Sequence, residues 1–186
     1  MYHKIATDGI VLRKRGVGEA NLRVAILTRE AGLVVASARS ARYEKATMRY
    51  GLEPLTVARF CFVRGQHEWR VTEAHLPHRL GGTPAERAAI ARISQLLLRL
   101  IHGQEPHAKL FEDIKSGFEA FESQDIASVE TVLVLRILSH LGYLPQTDAL
   151  APYVEGEFGI ELSAKALKER SLLVRAINES LKATGL

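Results

Sequence analysis

GIVLRKRGVGEANLRVAILTREAGLVVASARS, residues 9–40, is the stretch that decides the fold. Its apolar residues come in short, β-branched runs: Gly9 to Arg15, Leu22 to Thr28 and Leu33 to Ser40. The turn signals Gly16-Val17-Gly18 and Ala31-Gly32 separate them. Runs this short with glycine between them read as strands joined by tight turns. Further along, Leu55 to Arg64 and Glu68 to Ala74 repeat the pattern around Arg64-Gly65-Gln66, after a long polar stretch from Ala41 to Gly51. Five strands with one long excursion between the third and fourth suit a small Greek-key barrel, whose closure removes exposed strand edges.

At Leu80-Gly81-Gly82-Thr83-Pro84 the character of the chain changes. Thr83 can cap a helix, Pro84 is tolerated at its first position, and Glu86 complements the positive end of the helix dipole. Helical spacing follows in Ile90, Ile93, Leu97, Leu100 and Ile101, and again in Leu110, Ile114, Phe118 and Phe121. A third helix, marked by Val132, Leu135, Ile137, Leu138 and Leu141, is apolar enough for a bundle centre; Gly142 ends it and Pro145 follows. A last amphipathic run covers Ala164 to Lys182. The expectation is an α+β chain: a five-stranded β-barrel over residues 1–80, then an all-α helical bundle over residues 81–186.

An apolar fraction of 47% and a charged fraction of 25% are ordinary for a globular protein of 186 residues. The one cysteine, Cys61, excludes an internal disulfide framework and fits a reducing compartment; its place in Arg59-Phe60-Cys61-Phe62-Val63 reads as buried strand packing. No apolar stretch approaches the ~20 residues needed to cross a bilayer, so a soluble cytoplasmic protein is expected.

Several chemistries fail on spacing. Gly16-Val17-Gly18-Glu19-Ala20-Asn21 lacks a third glycine and a Lys followed by Ser or Thr, and a strand rather than a helix follows it, so it is a hairpin turn and not a phosphate loop. His75 and His78 flank Pro77 without a nearby cysteine or acidic repeat, so no metal site is expected there. Glu112, Asp113, Glu119 and Glu122 read as the solvated side of apolar helices. Nothing resembles a nucleophile, base and orienting group, and no catalytic residue, metal or cofactor is expected.

Charge is distributed unequally. Residues 1–80 hold 14 Lys and Arg against 7 Asp and Glu, whereas residues 81–186 hold 11 against 14. A basic field on one module favours a polyanion. Arg39, Arg42, Lys45 and Arg49 cluster in the excursion, interleaved with Tyr43 and Tyr50, and Arg13, Lys14, Arg15 and Arg23 cluster around the first turn. Cations that track phosphates, beside aromatic faces that accept bases, are the means by which single-strand binders work.

Taken in order, these segments resemble the RecO family. The resemblance rests on Gly9-Ile10-Val11-Leu12-Arg13-Lys14-Arg15, Gly18-Glu19, Leu27-Thr28-Arg29-Glu30-Ala31-Gly32-Leu33 and Ala38-Arg39-Ser40-Ala41-Arg42. It continues through Leu52-Glu53-Pro54-Leu55, Arg64-Gly65, Val71-Thr72-Glu73-Ala74, Leu110-Phe111 and His140-Leu141-Gly142-Tyr143-Leu144-Pro145. It implies an OB-fold that binds single- and double-stranded DNA, promotes annealing, and acts with RecR and single-stranded-DNA-binding protein to load RecA, without ATP or a catalytic centre. By the same resemblance, the DNA-binding candidates are Arg39, Arg42, Lys45, Arg49, Arg13, Lys14, Arg15 and Tyr43.

The chain departs from the family pattern in two places. Gln146 to Pro152 contains no cysteine, so the zinc module that many members carry is not expected. Thr131-Val132-Leu133-Val134 stands where an Arg-x-Phe-Glu-like stretch often lies, leaving Arg136 as the only basic candidate for holding an acidic partner tail. The run Lys165 to Leu186 reads as a trimmed version of the family's last helices. Two other readings share this composition: an interaction adaptor of repair or replication machinery, and an RNA-binding OB protein.

Overall fold

A computed structural model describes residues 3–41, 48–66 and 68–183. Five strands form a closed barrel: β1 (His3–Val17), β2 (Asn21–Thr28), β3 (Gly32–Ala38), β4 (Thr56–Arg64) and β5 (Trp69–Arg79). Around the barrel their order is β1, β2, β3, β5, β4, with β3 and β5 parallel and every other pairing antiparallel. This is the OB-fold.

The first strand is longer than its apolar run foretells. It pairs with β4 from His3 to Ile10 and with β2 from Gly9 to Val17, so one strand closes the barrel by serving two neighbours. Gly9 sits where the pairings overlap, and a Cβ there would lie 2.7 Å from Ile26 Cγ2 and 3.0 Å from Phe60 Cδ2. Only glycine lets the strand bend this close to the core. Val11, Leu22, Val24, Ile26, Val34, Phe60, Phe62, Trp69 and Val71 fill the interior, each large side chain contributing about 1.5–3 kcal/mol by leaving water.

The last strand also outruns expectation, passing through Pro77 to Arg79 instead of stopping at Ala74. Its pairing with β3 covers only Trp69 and Arg70, so the missing N–H of Pro77 costs no bond on that edge. Leu76 adopts a φ of 50°, and between Ala58's two neighbours the register slips by one residue, a bulge that accommodates the proline.

Among the described residues six helices follow: α1 (Pro84–Leu100), α2 (Ala108–Ala120), α3 (Ile126–His140), α4 (Ala151–Val154), α5 (Ile160–Lys168) and α6 (Arg170–Ala183). Thr83 and Glu86 form a reciprocal cap at the start of α1: Glu86 N donates to Thr83 Oγ1, and Thr83 N donates to Glu86 Oε2, both at 3.3 Å. At the end of α3, Gly142 takes a φ of 76°, and Tyr143 N donates to Leu138 O at 2.8 Å, closing a left-handed cap. As its composition requires, α3 is buried almost throughout and packs against α1, α4, α5 and α6. The expected single terminal run is two helices, broken at Glu169, whose carboxylate accepts a hydrogen bond from Tyr153 Oη at 2.8 Å.

The chain divides into two compact units. One comprises residues 1–80 with the segment Ile101–Phe111, and the other comprises residues 81–100 with 112–186. Within the first unit, Trp69 Nε1 donates to Gln104 Oε1 at 3.0 Å, and Gly32, at a φ of 63°, leaves no room for a Cβ beside Glu105 O.

Candidate nucleic-acid interface

Strand alternation sends odd-numbered residues of the β1 end outward once the bulge between Val11 and Arg13 has shifted the register. Arg13 and Arg15 therefore stand exposed on the outer face. Arg15 is the Cα partner of Arg23, also exposed, and with Val35 of β3 these three arginines line a shallow hollow of about 340 Å³. Among the described residues none of the three has a carboxylate partner.

The register carries this surface around the barrel. Arg23 is opposite Ser37, Ser37 opposite Arg70, Arg70 opposite Val63, and Val63 opposite Lys4. Lys4, Val63 and Arg70 line a second hollow of about 280 Å³. Ser37 Oγ donates to Glu68 Oε1 at 3.0 Å, and this pair divides the row into an arginine triple and a smaller cationic group. Among the described residues Arg70 Nε is buried without a hydrogen-bond partner.

The sequence candidates separate accordingly. Arg13 and Arg15 share one face. Lys14, between them, points the other way, is half-buried, and its Nζ lies 2.6 Å from Glu53 Oε1, an ion pair within the chain. Arg39 is exposed just past β3, where Ser40 N donates to Asn21 Oδ1 at 3.0 Å and holds the start of the excursion beside the β1 and β2 turn. Arg49 is exposed at the start of a short 3-10 turn, Tyr50–Leu52, and Tyr50 itself is 76% exposed. Arg42, Tyr43 and Lys45 lie outside the described residues. Sequence reasoning passed over Lys4 and Arg70, which come together with the others only through barrel closure.

Arg136 is not on the surface. It is 1% exposed; its Nη1 donates to Asp113 Oδ1 at 2.9 Å and its Nε to Tyr153 O at 3.0 Å, while its guanidinium lies 4.2 Å from the Phe158 ring centroid. Its candidacy as a partner-binding residue is corrected: its donors are spent inside the fold. Asp113, expected on a solvated face, is half-buried between Arg136 and His140, whose Nε2 is 2.7 Å from Oδ2. Burial pushes the Asp113 carboxyl up, but the hydrogen bond from His140 and the charge of Arg136 outweigh it and hold the group below the usual carboxylate range. The hollow beside it carries Glu112, Glu119 and Glu157, a surface that repels an acidic tail.

Cys61 is half-buried and faces outward rather than into the core. Desolvation, and then the charge of Glu73, push its thiol up. His75 Nε2 lies 2.7 Å from Glu73 Oε2, and the hydrogen bond holds the glutamate's carboxyl down. Among the described residues no helix is long and apolar enough to cross a membrane.

Residues 1–78 match the family described as Recombination protein O N terminal, and residues 81–151 match Recombination protein O C terminal. A DNA repair protein RecO of Desulfitobacterium hafniense is 30% identical over 150 residues, covering 78% of this chain and 54% of that protein. One from Thermodesulfovibrio yellowstonii is 30% identical over 146 residues, covering 75% and 58%. One from Caldanaerobacter subterraneus is 26% identical over 155 residues, covering 79% and 62%. The chain thus spans little more than half the length of the curated relatives it matches.

Proposed function

Because this chain belongs to the RecO family of DNA repair proteins, we propose that it is a recombination mediator that works by binding DNA rather than by catalysis. Residues 1–80 form the nucleic-acid-binding module and residues 81–186 its helical companion. The barrel takes up single- and double-stranded DNA, brings complementary single strands together, and in the cytoplasm assists RecR and single-stranded-DNA-binding protein in loading RecA. No nucleotide cofactor takes part.

The observation that carries this reading is the exposed arginine triple Arg13, Arg15 and Arg23, without a carboxylate partner among the described residues and gathered on one outer face. Guanidinium groups so placed release condensed counterions when they meet phosphates, and that release drives binding at low and moderate salt. Arg39 and Arg49 are further exposed cations, and Arg42, Tyr43 and Lys45 remain candidates outside the described residues. Annealing follows physically, because a cationic surface that holds two strands offsets their mutual repulsion without reading their bases. Contact with single-stranded-DNA-binding protein uses a helical surface other than the buried Arg136 and the acid-lined hollow beside it.

An annealing assay with labelled complementary oligonucleotides tests the proposal. The unmodified chain should speed duplex formation, and replacing Arg13, Arg15 and Arg23 together by glutamine should return the rate close to the spontaneous one. Replacing Lys14 by glutamine should change it little. Annealing unaffected by the chain, or equally fast with the triple variant, contradicts the proposal.

A further inference from the structure

Three side chains with different donor atoms meet on the outer face of β4 and β5. Cys61 and Glu73 are Cα partners, as are Arg59 and His75, so Cys61, Glu73 and His75 project from neighbouring positions on one side of the sheet. A second bulge makes this possible: between Cys61 and Phe62 the register slips by one residue, Thr72 being the extra one on β5, with Thr72 Oγ1 donating to Cys61 O at 3.1 Å. Bulges re-aim the side chains beside them. The sulfur, a carboxylate oxygen and an imidazole nitrogen all lie within 4.8 Å of one another. On β1 the residue opposite Cys61 is Ala6, which is exposed.

We propose that Cys61, Glu73 and His75 bind one zinc ion, with the fourth position taken by water. Zinc accepts this mixture of sulfur, nitrogen and oxygen donors in tetrahedral geometry, with bonds of about 2.0–2.3 Å that set the ligand atoms about 3.3–3.7 Å apart. Glu73 and His75 stand closer than that, at 2.7 Å, and all three donor atoms lie within 4.8 Å, so side-chain rotation is needed to open a metal-sized space between them. Calcium and magnesium, which demand oxygen ligands, do not suit a thiol and an imidazole. On binding, the Cys61 thiol gives its proton to solvent and coordinates as thiolate, while Glu73 and His75 exchange their 2.7 Å hydrogen bond for two metal bonds, the proton leaving His75 Nε2 through solvent so that the coordinated ring carries its proton on Nδ1. The site joins two strands of the barrel across a bulge, and it is separate from the arginine triple, so its fate is independent of the DNA-binding reading.

Cobalt titration of the tag-free, reduced protein tests the site, because cobalt replaces zinc in such geometry and reports its ligands by colour. Cys61 is the chain's one cysteine, so any thiolate-to-cobalt charge-transfer absorption belongs to it. The expected result is one equivalent of cobalt, visible tetrahedral bands and a charge-transfer band, all removed by one equivalent of zinc. Cys61→Ser should abolish the charge-transfer band. Glu73→Gln and His75→Ala, at positions more than half exposed and so compatible with folding, should each weaken cobalt binding on the order of tenfold or more, while His78→Ala should not. The proposal is overturned by absence of the charge-transfer band at stoichiometric metal. It is equally overturned if Cys61→Ser binds zinc as tightly as the unmodified chain, which would mean an adventitious ion only, or if the band appears only as chains dimerise.

Discussion

Arg15 and Arg23 are direct Cα partners on the outer face of β1 and β2, both exposed and, among the described residues, without a carboxylate partner. Like charges placed opposite each other across an antiparallel pair destabilise it by roughly 0.2–1 kcal/mol. Burial does not require the pair and folding does not benefit from it. A polyanion laid across the hairpin reverses the sign of its contribution.

That relationship predicts opposite effects on stability and binding. Arg23→Gln should raise the urea midpoint of unfolding, by the equivalent of about 0.2–1 kcal/mol, while weakening affinity for single-stranded DNA. Urea unfolding and fluorescence anisotropy measured on the same preparations check both halves. A variant that is less stable and binds as well as before would contradict it.

In the helical unit, Arg136→Ala should be strongly destabilising. It leaves Asp113 half-buried without its cationic partner and the carbonyl oxygen of Tyr153 without its donor, and breaking a buried pair in this way costs about 3–5 kcal/mol. Thermal unfolding should show the loss, and DNA affinity measured well below the lowered midpoint should be unchanged.

The depressed Asp113 carboxyl gives stability a definite dependence on acid. Its folded value lies below the usual range of about 3.9, so the contribution is complete above that value and is lost as pH falls through the lower, folded one. Asp113→Asn should flatten this acid limb in unfolding experiments between neutral pH and strong acid. An acid limb identical in the variant would remove Asp113 as its source.

At alkaline pH the corresponding group is Tyr153. Burial first, and then the hydrogen bond and charge of Glu169, push its phenol up to about 12. Its neutral form is therefore the stabilising one: the contribution holds below the ordinary phenol value near 10 and is lost as pH rises toward 12. NMR titration of the ring should find Tyr153 ionising well above the ordinary phenol value, and Glu169→Gln should bring it down.

Much of the architecture was legible because its signals are local. β-Branched runs with glycine punctuation located all five strands, the Thr83 and Glu86 spacing located the start of α1, and the density of apolar residues placed α3 at a bundle centre. Properties set by register were not legible. Pro77 reads locally as a strand end, and only the lack of a β3 neighbour beyond Arg70 makes it tolerable. Lys14 looks equivalent to Arg13 and Arg15 in sequence, yet alternation turns it toward Glu53. Cys61 between Phe60 and Phe62 reads as core, but those two rings occupy the inward positions and leave the thiol outside. Arg136 reads as a surface cation because the acid and carbonyls that bury it come from residues 113, 153 and 155.

Salt dependence of single-stranded DNA affinity tests the central claim most directly, since each phosphate neutralised adds about 0.7 to the slope of log affinity against log salt. Replacing Arg13, Arg15 and Arg23 together by glutamine should reduce that slope by about two, with the barrel's circular dichroism unchanged. An unaltered slope in the triple variant would show that this face does not meet the phosphates.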